Sequence, residues 1–461
     1  MSNCDKSDKL LVSARIKDRP RRTYTTRTLE HLSQFQQDGE VPLDRYGGWA
    51  DKRFEATGYF HTMLIGDRWW LIDPEGFRFL HIAVNIVRPG GGPQMQQAFS
   101  AKYADAAAWR DETSELLRDN GFNGTAAVSD DELLAGAENR PVYAQLLNFM
   151  GRYGRSTGRV TRQPGHLAYP GDCMFVFDPE FAAFADQQAC ELAPRADDPW
   201  LLGYFSDNEL PFFENSLENF LALPAGDPGK TATDAWLSAR KSGDPAKAKL
   251  TEADREAFRG YLAETYFGIC RDAIRKYDPN HLYLGSRFYR TDKESPALLA
   301  AAGKCLDVIS INVYGVWTPT RDYIRRWTDW SNKPVMITEW YAKGDDTGMA
   351  NLTGAGWTVP TQADRGAFYQ NFVLGLIESG NCVGWHWFQY QDNDPTDPDA
   401  EPSGLNSNKG IVTVAYQPYE PLLAAMKRIN KATYPLTDYL DATGPQPPSA
   451  WQGISGGKPV V

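Results

Sequence analysis

Eight short apolar runs, each followed by a helical period or a long polar loop, constrain this chain more than any other feature. They are FLHIAVNI (79–86), GTAAV (124–128), VYAQLLNF (142–149), WLLGYF (200–205), HLYLGS (281–286), DVISINVY (307–314), PVMITEW (334–340) and GWHWFQY (384–390). Most are unbroken rather than alternating, the pattern of parallel strands buried on both faces. Helical segments lie between them. The one at 105–119 puts Trp109, Leu116 and Leu117 on one side and stops at Asn120-Gly121, a C-cap signal. A second, 179–192, follows Asp178 as N-cap with Pro179 in its first turn. A third, 251–277, opens Thr251-x-x-Asp254 and stops at Asp278-Pro279; 364–379 and 419–430 complete the set. Alternation of this kind predicts an α/β fold, a (β/α)₈ TIM barrel. A doubly wound open sheet is the alternative, but no GxGxxG follows the first run.

Residues 1–56 are charged and poorly patterned and read as an N-terminal arm. A β-hairpin at 57–78 turns at Gly66-Asp67 and leads into a barrel that, with the hairpin, spans 57–435; residues 436–461 read as a C-terminal tail. The spare length falls after strands, at 150–177, 206–250, 341–361 and 391–417. In a barrel these loops build the C-terminal face, where active sites sit.

Composition excludes several classes. With 48 Lys+Arg against 59 Asp+Glu the net charge is −11, which removes the general electrostatic basis for binding nucleic acid or anionic membranes and argues against a highly sulfated or carboxylated substrate. No run reaches the ~18 apolar residues of a membrane span. Fourteen Trp and 22 Tyr suggest surfaces that stack on flat apolar faces such as those of sugars. The six cysteines form no CxxC and have no His at zinc spacing, so buried free thiols are expected. The N-terminus lacks an apolar signal core. The chain therefore reads as cytoplasmic as written, or as secreted or periplasmic if a signal was trimmed, with Cys4 a weak sign of a lipoprotein remnant. Oligomeric state is left open.

Two carboxylates stand out by position. Glu209 lies just beyond strand 4 in GYFSDNELP, and Glu339 at the tip of strand 7 in PVMITEW. A carboxylate at the end of a buried strand is costly unless it has a task. Asn85 at the tip of strand 1, Arg287 past strand 5, and Asn312 and Tyr314 on one face of strand 6 are further candidates. Trp340, Trp385, His386, Trp387 and Gln389 cluster at strands 7 and 8, with Trp385 or Trp387 expected as a stacking floor. Strand parity sets His386 opposite both, and the sequence leaves open which set faces inward. Arg152, Arg155, Arg159 and Arg162 read as a solvated loop rather than a cleft lining. Asp392, Asp394, Asp397 and Asp399 read as a solvated Pro/Asp-rich loop rather than a cation site. GRSTG (154–158) matches GxSxG but lies outside any strand-to-helix elbow. There is no HExxH, P-loop or EF-hand motif, and no metal or cofactor is expected.

Asn-Glu after strand 4 and a second Glu at the end of strand 7 resemble the 4/7 superfamily, clan A of the retaining glycoside hydrolases. The segments RWWLIDPEGFRFL, GYFSDNELPF, ITEWYAKG, GWHWFQYQD and NKGIV are most similar to the family 50 β-agarases, over roughly residues 57–430. The resemblance implies Glu339 as nucleophile, Glu209 as acid/base, Asn208 as partner of the sugar 2-OH and Tyr314 as hydrogen-bond donor to the nucleophile. It implies retaining hydrolysis of β-galactosidic bonds in agarose-type galactans or their oligosaccharides, with no cofactor. The rival readings are another exo-β-glycosidase of the clan, such as a β-galactosidase or β-glucosidase, and a non-catalytic carbohydrate-binding barrel.

Overall fold

The computed structural model describes residues 10–32, 34–36, 39–241, 249–397 and 399–444. Cys4 and the end of the expected tail lie outside them. All eight expected strands form, and they lie parallel in one sheet: β1 (His81–Val84), β2 (Gly124–Thr125), β3 (Val142–Leu146), β4 (Leu201–Phe205), β5 (Leu282–Gly285), β6 (Ile309–Asn312), β7 (Val335–Trp340) and β8 (Cys382–Trp387). The sheet order is β5-β4-β3-β2-β1-β8-β7-β6. Its two ends meet through Phe288, which bridges Ile311; the Phe288 N–H donates to Ser310 O at 2.9 Å and Asn312 N–H donates to Phe288 O at 2.9 Å. The result is an eight-stranded parallel barrel of the TIM-like kind, whose strand residues are almost all buried, as the unbroken apolar runs require.

The capping signals act largely as expected. Asp105 accepts from Ala108 N at 2.9 Å, and Thr251 with Asp254 forms a capping box on Glu252–Tyr277. Gly121, at φ +73°, lies so close to Asn430 that a Cβ would meet it at 2.7 Å. The helix expected from Pro179 begins later, at Phe181–Ala189. Asp178 is already held by Arg159 at 2.7 Å and accepts its own turn bond from Glu180 N, so it closes a loop instead of capping.

The terminal segments depart further from expectation. The arm is not poorly structured: Leu10–Ile16 and Arg22–Thr26 pair as a hairpin. Its first strand pairs with Trp357–Val359, which in turn runs parallel to Ala342–Gly344 beyond β7. Arg27 anchors the hairpin through a buried two-point contact with Glu378, at 2.6 and 2.9 Å. The hairpin expected at 57–78, His61–Ile65 with Arg68–Ile72, forms one side of a four-stranded antiparallel sheet that continues through Phe77–Phe79 to Trp49–Arg53. This sheet packs at the barrel end opposite the strand tips, where Trp69 N donates to Gly380 O ahead of β8. The last helix, Glu420–Thr443, runs through Pro435 and across residue 436, where the tail was expected to begin. A mid-helix proline costs ~3 kcal/mol. Burial of Tyr434, Leu436 and Leu440, and the bond from Tyr434 Oη to Gly47 O at 2.7 Å, offset that cost.

Cys173, Cys270, Cys305 and Cys382 are buried free thiols, as expected, but Cys190 is exposed. Among the described residues no helix is long and apolar enough to cross a membrane.

Candidate active site

A cleft of about 1030 Å³ opens at the C-terminal ends of the strands, and Asn208, Glu209, Arg287, Tyr314 and Glu339 line it together. Backbone geometry brings them there. The loop after β4 is staked by Asp207, whose buried carboxylate accepts from Met150 N at 2.8 Å, Gly151 N at 3.0 Å and Tyr266 Oη at 2.6 Å. Burial raises Asp207 to about 6, against the pull of those donors. Glu209 then adopts φ +52°, a left-handed conformation uncommon for any residue but glycine, while its N–H donates to Ser286 O at 3.0 Å. Across the barrel, Val313 N donates to Glu339 O at 2.8 Å, which sets Tyr314 beside the β7 tip.

The two carboxylates are treated differently. Both oxygens of Glu339 accept from fixed donors: Arg287 Nη2 reaches Oε1 at 2.8 Å and Tyr314 Oη reaches Oε2 at 2.7 Å. Arg287 is itself buried and at φ +54°, with Nη2 also donating to Thr338 O at 2.9 Å and, weakly, to Asn85 Oδ1 at 3.4 Å. Among the described residues Glu209 has one side-chain donor, Asn312 Nδ2 at 2.8 Å. Burial, and next the nearby charge of Glu339, push its carboxyl up to about 8. One acid is thus held as a hydrogen-bond acceptor and the other is biased toward keeping its proton. This split in environment lets two like groups divide acid and nucleophile work.

Asn208 sits between them. Its Oδ1 accepts from Arg287 Nη1 at 2.9 Å, which fixes the amide so that its NH₂ is turned toward the cleft. Were a sugar to bind above Glu339 with its 2-OH toward this donor, the bond would strengthen as the ring becomes oxocarbenium-like. Asn208→Ala is therefore expected to lower kcat rather than mainly raise KM, by ~10²-fold if the bond gains ~3 kcal/mol in the transition state. A 2-deoxy substrate should lose a similar factor with the native protein and little more with the variant. Losses that simply multiply would show that Asn208 does not touch the 2-OH.

Asn85 and Asn312 do not line the cleft but support it from below. Asn85 Nδ2 donates to Thr338 O at 3.0 Å, and Asn312 Oδ1 accepts from Thr338 Oγ1 at 2.8 Å. The expected stacking floor is corrected by the structure. Trp385 and Trp387 are fully buried and face the helix Gln362–Ser379, where Trp385 Nε1 donates to Tyr369 Oη and Trp387 packs edge-on to the same ring. Trp340, at 1% exposure, stacks on Phe372 with centroids 4.2 Å apart. His386 takes the inward side of β8 but lies beneath the cleft, 2.9 Å from His81 Nδ1, and burial holds both rings neutral. Gln389 is occupied with Gln391 O and Asn393. None of Trp340, His386, Trp387 and Gln389 reaches the cleft surface.

The aromatic lining comes from Tyr169, Tyr289, Tyr314, Tyr341 and Phe388 instead. Lys409, in the NKGIV segment, was also not singled out by position. It is 1% exposed, its ammonium sits 5.1 Å from the Tyr341 ring centroid and 5.3 Å from that of Phe388, and burial lowers it to about 8. Two members of the arginine run, Arg155 and Arg162, are exposed and also line the cleft, while Arg152 and Arg159 pair with Glu191 and Asp178. Nor is the aspartate loop solvated throughout. Asp392 accepts from Gly410 N at 2.7 Å and Tyr419 Oη at 2.6 Å, and Asp394 from Gln94 N at 2.7 Å, so both act as buried staples. Among the described residues no group of three or more His, Cys, Asp or Glu could hold a metal.

No family model matches the chain. β-Agarase B of Vibrio sp. (strain JT0107) is 24% identical over 499 residues, covering 85% of this chain and 50% of that protein. The chain is homologous to the β-agarases. β-Agarase A of the same strain is 26% identical over 390 residues, covering 72% of this chain and 37% of that protein. The chain thus spans half or less of the curated relatives it matches. Among solved structures, the crystal structure of BpGH50 superposes with a TM-score of 0.83 at 29% identity, over 95% of this chain and 98% of that one.

Proposed function

We propose that this chain is a glycoside hydrolase that cleaves β-galactosidic bonds in agarose-type galactans or their oligosaccharides. In this reading it acts by double displacement with net retention, as a clan A enzyme of the 4/7 type. The observation that carries the proposal is the divided pair at the strand tips: Glu339, gripped by Arg287 and Tyr314, and Glu209, pushed up to about 8, face one cleft. Homology to β-agarases supports the sugar class.

Glu339 attacks the anomeric carbon and forms a glycosyl-enzyme while Glu209 gives its proton to the leaving oxygen. Esterification removes the Glu339 charge, one of the two causes that raise Glu209. Glu209 then accepts a proton from the water that releases the sugar. Tyr314 and Arg287 position the nucleophile for this, and Asn208 holds the 2-OH.

Chromatography of products from agarose, neoagarohexaose and lactose tests the substrate class. Cleavage of the first two and not of lactose is expected. Preferential cleavage of lactose or simple aryl glycosides would favour a short-chain exo-β-glycosidase, and no turnover of any of them would favour a binding barrel.

A further inference from the structure

The net charge of the chain, −11, is not the charge of its cleft. Arg287 is committed to Glu339, but Lys17, Arg88, Arg155, Arg162, Arg290 and Lys409 also line the cavity, against the four carboxylates Asp207, Glu209, Glu339 and Glu401. Of these carboxylates, Glu209 is biased toward its neutral form, Asp207 is consumed by Met150, Gly151 and Tyr266, and Glu401 is occupied by Gly165 N and Ser403. None of the six cations makes an ion pair within 4.0 Å among the described residues. A cleft lined by one sign of charge focuses a field that the net charge does not reveal.

Lys409 is the sharpest member. It is buried, finds neither a carboxylate nor a hydrogen-bond acceptor for its ammonium among the described residues, and presents that group to the cleft between Tyr341 and Phe388. An ammonium taken out of water without a partner is costly, and a ligand anion supplies the missing partner. The cations also bracket the reacting centre, since Glu209 feels the charge of Arg290 and Lys409 feels that of Glu339. Arg162, on the strand Thr161–Gln163, donates to Asp399 O, and Gly165, in the turn to the paired strand His166–Ala168, donates its N–H to Glu401 Oε1 at 2.6 Å, which brings one wall of the cleft against the loop that carries Glu401.

We propose that the cleft takes an anionic galactan segment, with a sulfate ester or carboxylate on a sugar next to the scissile bond held by Lys409 and by the Arg162 and Arg290 guanidiniums. The inference rests on the glycosidase reading above and narrows its substrate. It opposes the expectation drawn from net charge alone.

The test compares kcat/KM on a sulfated galactan oligosaccharide, the same oligosaccharide after chemical desulfation, and one bearing a uronate in place of the sulfated sugar. The native protein should prefer a charged substrate by about tenfold or more at low salt, the scale of one charge-assisted hydrogen bond. The preference should shrink as ionic strength rises. Whichever of the sulfate and uronate arms shows it names the anion. Lys409→Met should bring the charged-to-neutral ratio close to one. Arg290→Gln, at an exposed position outside the barrel strands, should lower the same ratio and flatten its salt dependence. A desulfated substrate used as well as or better than both charged ones would overturn the proposal, as would a ratio that neither variant moves. Calorimetric titration of Glu339→Gln with the charged and neutral oligosaccharides separates this inference from the catalytic one. Selective binding of the charged form without turnover in the native protein would support the anion site and remove the hydrolase reading. Equal binding of both would remove the anion site alone.

Discussion

Glu339→Gly is expected to abolish turnover of agaro-oligosaccharides, by on the order of 10⁴-fold or more, because under the proposed double displacement β7 (Val335–Trp340) offers no other carboxylate to form the glycosyl-enzyme. Azide should restore activity toward activated aryl glycosides. The substitution leaves a cavity where the Glu339 carboxylate stood, lined by the Arg287 and Tyr314 donors that now hold it, and a small anion fits there. The product should be a glycosyl azide of inverted configuration, formed by one displacement in place of two. A variant that keeps its activity, or that azide leaves dead while the fold is intact, would contradict the nucleophile assignment.

Glu209→Ala should divide substrates by leaving group. Turnover of natural glycosides, whose leaving alcohol needs a proton, should fall by about 10²–10⁴-fold, while the first step on activated aryl glycosides should change far less. The pH profile carries the same information. Burial and the Glu339 charge raise Glu209 to about 8, so the proton is present below that pH and lost above it. The native protein should therefore lose kcat/KM as pH rises through about 8, and the variant on aryl glycosides should lack that limb. An equal loss on both substrate types would show that Glu209 is not the acid.

The barrel was legible because its strands are buried on both faces. Such strands write themselves as unbroken apolar runs, and a carboxylate at the end of one, as at Glu339, is conspicuous. What the chain does between distant segments was not legible. The hairpin Leu10–Ile16 with Arg22–Thr26 carries exposed and charged positions and finds its partner strand, Trp357–Val359, more than 330 residues away. No local period encodes that pairing. The inward face of β8 was undecided for a related reason. Trp385 and Trp387 share one face and His386 the other, and side-chain size favoured neither. Helix Gln362–Ser379 decides it, since its Phe368, Tyr369 and Phe372 form a pocket that takes Trp340 and Trp387 out of the lumen. Lys409 was invisible as a cleft residue because it lies more than 20 positions beyond β8. Only the folded loop, with Trp387 Nε1 donating to Lys409 O and Asp392 stapling Gly410, returns it beside Glu339. The aspartates doing that stapling looked like solvent ligands in sequence because backbone N–H donors leave no mark in it.

The anomeric configuration of the first product released from neoagarohexaose, followed by NMR before mutarotation, tests the central claim most directly. A divided carboxylate pair acting by double displacement predicts the β anomer first, with the α anomer growing in only as the sugar equilibrates. An α anomer formed first would mean that water, not Glu339, attacks the sugar, and the roles assigned to both glutamates would fail together.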